Sequence, residues 1–211
     1  AFQIERKQEH TTKVKIVDYD HPRFKEGVPV TTRGDPCLPV MINELCYLSE
    51  RTSVILEELM HLYKQGRQTI ILSDRREHCK ELVELLARRH IDAALMIGGV
   101  SREDMETGSK KRVIVATFSL AHEGLDIPTL DSLILATPKS NITQAVGRIL
   151  RETKGKQFEP VVVDIKDDWG LLTAMFYKRV KVYKTHGFQM RKDLTEEPRC
   201  QNQSLGGFAF L

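Results

Sequence analysis

Cysteine and tryptophan are scarce in this chain: 211 residues hold four of the first and one of the second. Cys37, Cys46, Cys79 and Cys200 form no C-x-x-C pair, which excludes the commonest structural zinc sites. They are too sparse for a disulfide framework, so a reducing compartment is the simpler reading. No apolar run approaches the roughly 18 residues of a membrane span, and no charged-then-apolar leader opens the chain. A G-x-x-x-x-G-K-[ST] phosphate loop is also missing, and no Asp-Glu pair succeeds an apolar strand. A large excess of either charge is absent too. The net charge of +3 and pI of about 8.6 are compatible with a polyanionic partner without establishing one.

The remaining composition is ordinary for a globular protein: 41% hydrophobic and 29% charged residues, in a length that buries a full core. Residues 1–36 read as a polar lead-in with one alternating strand, Val14 to Tyr19, before Pro22, Gly27, Pro29, Gly34 and Pro36 break regularity. Pro39 to Gln65 reads as helical, with Ile55, Leu59 and Leu62 on one face and Gly66 as the stop. Short apolar runs then alternate with helices. Strands are expected at Thr69–Leu72, Ala93–Ile97, Val113–Ala116, Leu133–Leu135 and Val161–Val163, with a sixth opening near Phe188. Helices are expected at Arg75–Arg89 and at Trp169–Tyr183, the latter with Leu172, Phe176, Val180 and Tyr183 on one face. This alternation predicts an α/β fold, a mostly parallel sheet with helices on both faces. The main domain is expected over 37–195, and 196–211 as a tail.

Ligands of such sheets sit outside the carboxyl ends of the strands, so the residues just past each strand matter most. Ser73-Asp74-Arg75-Arg76 opens a helix and suits a phosphate; equally, Ser73 or Asp74 is a plain N-cap. Gly98-Gly99 allows close backbone approach, or is simply a turn, and Ser101 can cap the next helix. Thr117 ends a strand, and Gly124 and Asp126 come after a short helical turn and before Pro128. Thr117 suits a backbone phosphate, and Asp126 suits ribose hydroxyls. His122-Glu123 starts like a zinc H-E-x-x-H helix, but Asp126 stands where the second histidine belongs, so a metal site is rejected. Gln144-Ala145-Val146-Gly147-Arg148-Ile149-Leu150-Arg151 puts Arg148 and Arg151 on one helix face, with Gln144 one turn earlier and room at Gly147. Such a face meets a planar or tetrahedral anion; incidental surface arginines are the plainer alternative. Asp164, Asp167 and Asp168 read as helix caps ahead of Trp169 rather than as a metal cluster.

In order and spacing, residues 68–152 resemble the C-terminal RecA-like lobe of superfamily 2 helicases. Ile70-Ile71-Leu72-Ser73 resembles motif IV, and Ile97-Gly98-Gly99 the H-G-G-type turn with isoleucine in place of histidine. Ala116-Thr117 through Gly124-Leu125-Asp126-Ile127-Pro128 resembles motif V, and Gln144 to Arg151 resembles motif VI. Glu123 before the glycine and Gln144 opening motif VI are not the DEAD-box form. Leu135-Ala136-Thr137-Pro138-Lys139-Ser140 is similar to helicases of phages and large cytoplasmic DNA viruses.

The resemblance implies ATP and Mg²⁺ between two lobes, the N-terminal lobe carrying the Walker A and B elements. It implies Arg151 as arginine finger, Arg148 as its companion on the phosphates, and Gln144 ordering the γ-phosphate side. Gly124 and Asp126 would meet the nucleotide, and Ser73, Arg75, Gly99 and Thr117 the phosphate backbone of DNA or RNA. An intracellular setting, a viral replication site or virion included, and no membrane partner accompany it. The alternative is a non-catalytic RecA-like module that binds nucleic acid or protein; a dehydrogenase is excluded because no G-x-G-x-x-G stands after the first strand. The chain starts at Ala1 and reads as half of a motor. By itself it is expected to show no ATPase activity, and robust hydrolysis by the purified 211-residue chain would contradict the two-lobe reading.

Overall fold

The computed structural model describes residues 12–123, 127–143, 146–147 and 158–192. Seven strands form one sheet: β1 (Lys13–Tyr19), β2 (Thr69–Ser73), β3 (Ala93–Met96), β4 (Val113–Thr117), β5 (Ser132–Leu135), β6 (Val161–Asp167) and β7 (Gln189–Arg191). Their spatial order is β3-β4-β2-β5-β6-β1-β7, and every pairing is parallel. All six strands expected inside the sheet are found, together with the strand of the lead-in. That strand, β1, lies inside the sheet, paired with β6 on one side and β7 on the other.

Every residue of β2, β4 and β5 is buried, as expected where helices cover both faces of a parallel sheet. The side chains alternate strictly. Ile70, Leu72, Ile114, Ala116, Leu133 and Leu135 join one core; Ile71, Val113, Val115 and Ile134 join the other. The second core is roofed by α3 (Ser49–Lys64) through Ile55, Leu59 and Leu62, and by α4 (Arg76–Ala87) through Cys79, Leu82 and Leu86. The first core takes Phe118 and Ala121 of α6 (Phe118–Glu123) and Tyr183 of the last described helix. A shorter helix, α5 (Arg102–Gly108), starts where Ser101 accepts a hydrogen bond from Asp104 N at 3.1 Å. No described helix is long and apolar enough to cross a membrane.

The helix expected over Pro39–Gln65 is two helices, α2 (Leu38–Tyr47) and α3, broken at Leu48 with ψ 106°. The two halves bury their apolar faces against different partners. α2 places Met41 and Leu45 against Phe24, Trp169 and Leu172, whereas α3 lies on the sheet. Phe24, from the short helix α1 (Pro22–Lys25), stacks on Trp169 at 5.0 Å, and Trp169 Nε1 donates to Gly27 O at 3.0 Å.

The caps expected from Asp164–Asp168 are not made. The last helix, α7 (Leu171–Thr185), starts at Gly170 with no side-chain cap. Asp164 and Asp167 are buried in ion pairs with Arg179 and Arg51 instead. Gly170 has φ +51°, and a β-carbon added there would stand 2.8 Å from Val28 Cγ1. Gly170→Ala is therefore expected to destabilise the fold by roughly 1–3 kcal/mol. An unchanged urea unfolding midpoint would show that the contact with Val28 yields freely.

Candidate functional site

Three of the expected site segments, at Ser73, Gly99 and Thr117, lie along the carboxyl edge of β2, β3 and β4. Ser73 and Thr117 end adjacent strands and are register partners. Both are buried, Ser73 completely. The Ser73 hydroxyl meets His78 Nδ1 at 3.0 Å and accepts from Arg75 N at 3.2 Å, so it faces inward. The N-cap of α4 is Arg75, not Ser73 or Asp74, and it makes no side-chain cap bond. The Thr117 hydroxyl accepts from Ser119 Oγ at 3.4 Å. Gly99 lies three residues past β3 with φ +94°, and nothing stands within 4 Å of an added β-carbon.

Arg75 is partly exposed but engaged. Its guanidinium donates to Asn43 Oδ1, to Pro39 O at 3.1 Å and to Asp74 Oδ2 at 3.1 Å. The other oxygen of Asp74 takes Lys139 Nζ at 2.9 Å. Asp74 thus sits between two cations, a place where an arriving phosphate would compete with a carboxylate.

Beyond β5, the turn Ala136–Lys139 is held from several directions. Ala136 N donates to Leu72 O at 2.8 Å, and Asp74 N donates to Thr137 Oγ1 at 2.8 Å. The Arg51 guanidinium grips Asp167 at 2.6 and 2.9 Å and donates to Ala136 O. Arg179 grips Asp164 at 2.8 Å through both oxygens and donates to Lys139 O at 3.2 Å. Tyr183 donates to Asp164 at 2.7 Å. Burial works against the Arg179 charge, yet the Asp164 carboxylate raises its pKa above the ordinary value. Burial and then the same carboxylate push the Tyr183 phenol well up, which keeps it a donor.

Past that turn, Ile142 and Val146 sit in the first core, and Val146 N donates to Ile142 O at 2.8 Å. Gly147 faces open space. Gly124, Asp126, Gln144, Arg148 and Arg151 lie outside the described residues. Sequence reasoning missed Arg51 and Arg179, and with them the bonds that tie Asp74 to Thr137 and Lys139. The two arginines left a trace, since each is a charge in phase with an apolar stripe: Arg51 with Ile55, Arg179 with Leu172, Phe176 and Tyr183.

Cys46 and Cys79 are pushed up to about 11 and about 12 by burial, so neither is a thiolate nucleophile. Among the described residues no group of three or more His, Cys, Asp or Glu is placed to hold a metal.

The family described as Helicase conserved C-terminal domain matches residues 51–153. Those residues of the chain carry that family's domain. The fold is RecA-like, and in sequence the chain is similar to viral proteins. Putative ATP-dependent RNA helicase L396 of Acanthamoeba polyphaga mimivirus is 36% identical over 130 residues, 60% of this chain. Putative ATP-dependent RNA helicase QP509L of African swine fever virus (isolate Tick/Malawi/Lil 20-1/1983) is 32% identical over 215 residues, 91% of this chain. The lobe spans 25% of the first relative and 42% of the second. In fold it is similar to the crystal structure of T4 UvsW, with a TM-score of 0.66 at 19% identity over 85% of this chain and 40% of that one.

His78 gives the lobe a measurable pH signature. Burial, with the Arg51 charge second, lowers its pKa from 6.5 to about 4. Between those values the unfolded chain binds a proton that the folded chain refuses. Stability therefore falls as pH drops from about 6.5 toward 4, and this contribution levels off below. His78→Gln should shrink the loss of Tm between pH 7 and pH 5; an equal loss in the variant would assign the slope to other groups.

Proposed function

We propose that this lobe is the second half of an ATP-dependent nucleic-acid motor, working across a cleft from an N-terminal RecA-like lobe. One observation carries the reading. The candidate strand-gripping segments at Ser73–Arg75, Gly99 and Thr117 share a sheet edge with the turn that leads into Gln144–Arg151. A single edge can then meet both a nucleotide and a polynucleotide, which is what coupling the two requires.

On the nucleotide side, Arg151 is the arginine finger and Arg148 its companion, with Gln144 ordering the γ-phosphate side. Their positive charge would stabilise the transferring phosphoryl group, a contribution of about 10³–10⁵ in rate where such fingers are known. Gly124 and Asp126 contact the nucleotide at its ribose. The open space at Gly147 is consistent with phosphates approaching the helix closely. Mg²⁺ belongs to the other lobe in this reading.

On the polynucleotide side, Arg75 and the bare backbone at Gly99 touch the phosphates of one strand. Ser73 and Thr117 act from beneath by shaping the loop, because their side chains are buried. Arg75 reaches a phosphate by exchanging the Asp74 carboxylate for it. Backbone contact of this kind implies little sequence preference and strong salt dependence. The names of the viral relatives favour RNA as the polymer.

In the intact protein, Arg151→Ala is expected to cut nucleic-acid-stimulated ATP turnover by about 10³ or more while the melting temperature holds. Turnover surviving that change would sink the finger assignment. Stimulation compared across single-stranded DNA, duplex DNA and RNA identifies the polymer.

A further inference from the structure

Two arginines that lie on opposite faces of the sheet, each 1% exposed, converge on one turn. Arg51 comes from α3 on one side, Arg179 from α7 on the other. Each uses two guanidinium nitrogens on a buried carboxylate of β6, Asp167 and Asp164 respectively. Each then spends a further nitrogen on a backbone carbonyl, Ala136 O for Arg51 and Lys139 O for Arg179. The two carbonyls bracket the turn that separates β5 from the core-anchored pair Ile142 and Val146.

Stability alone does not call for this arrangement. A buried ion pair gains little over well-packed apolar residues of the same volume, because two charges must be desolvated to make it. What the guanidinium adds is direction. It is planar, its five donors are fixed in a fork, and once one edge is seated on a carboxylate the other points at a set place. Two such forks from opposite faces fix both ends of the turn. The β6 carboxylates serve as the fixed reference, since β6 lies inside the sheet between β5 and β1.

We infer that Arg51 and Arg179 are positioning residues that fix the turn Ala136–Lys139, the stretch of chain that precedes Gln144–Arg151, and that the catalytic work proposed for Arg148 and Arg151 depends on that fixed turn. The inference rests on the proposed motor reading for its catalytic consequence, but not for the clamp itself. Neither arginine touches the nucleotide. Both act through the turn.

The test uses the intact protein with Arg51→Lys and Arg179→Lys. Lysine keeps a positive charge beside the carboxylate but has no planar fork, so the arm to the carbonyl is lost. Amide exchange of residues 136–143 should accelerate about tenfold in either variant, with the rest of the sheet unchanged. The kcat for ATP should fall between about tenfold and a hundredfold, the cost of a displacement near 1 Å, while KM for ATP and nucleic-acid affinity stay within about twofold. Unchanged exchange at 136–143 overturns the clamp whatever Arg151→Ala does. Faster exchange with unchanged kcat overturns the positioning role, provided Arg151→Ala in parallel abolishes turnover. If Arg151→Ala leaves turnover intact, the motor reading fails and the positioning role falls with it, whereas the exchange data still decide the clamp. Should a lysine variant not fold, the paired replacement Arg51→Met with Asp167→Leu removes the arm without stranding a charge. It is expected to fold and to show the same local exchange and loss of kcat; full kcat in that pair overturns the inference.

Discussion

A parallel sheet buried on both faces leaves its polar chemistry one place to go. The interiors of β2, β4 and β5 accept apolar side chains on either side, and each residue there has been used for packing. At the strand ends the backbone leaves the sheet with donors and acceptors free to be assigned, and in open parallel sheets it is the carboxyl edge that receives ligands. Serine, threonine, arginine and glycine appear there strand after strand: Ser73 closing β2 with Arg75 beyond it, Gly99 after β3, Thr117 closing β4. The helicase lobe is, in this sense, a packing solution whose remainder is its function.

The strands were legible because full burial writes a run of branched apolar residues, and such runs survive without knowledge of their neighbours. The helix faces were legible by their period. The break at Leu48 was not, because α2 and α3 are each helical in pattern and differ only in what they cover. The acids of β6 were misjudged for a related reason. Asp164–Asp168 looks like local capping, and the rule for caps is local. Their true partners are 116 residues away for Asp167 and 15 for Asp164, distances that no spacing rule spans.

The candidate site divides in the same way. Its motif residues stand in sequence order, so the resemblance to superfamily 2 was visible from Ile70 to Arg151. Its supports were not. Thr137 bonds Asp74 across 63 residues, and Lys139 meets the same aspartate across 65. These bonds tie the segment after β2 to the segment after β5, so the two candidate surfaces are mechanically one piece. The inward turn of Ser73 toward His78 has the same origin. A hydroxyl at a fully buried strand end must be satisfied from within, and α4 supplies the imidazole.

The place of β1 has a practical side. Among the described residues β7 pairs only with β1, and β1 shields the flank of β6. A boundary drawn at residue 37, where the regular alternation of strands and helices starts, would remove β1 and leave β7 with nothing to pair with. It would also bare the backbone of β6, a seven-residue strand, to the solvent. An uncovered strand of that kind is a template for association between chains. A shortened lobe would be prone to sticking to itself through β6, and the fault would lie two strands away from Ser73 of β2.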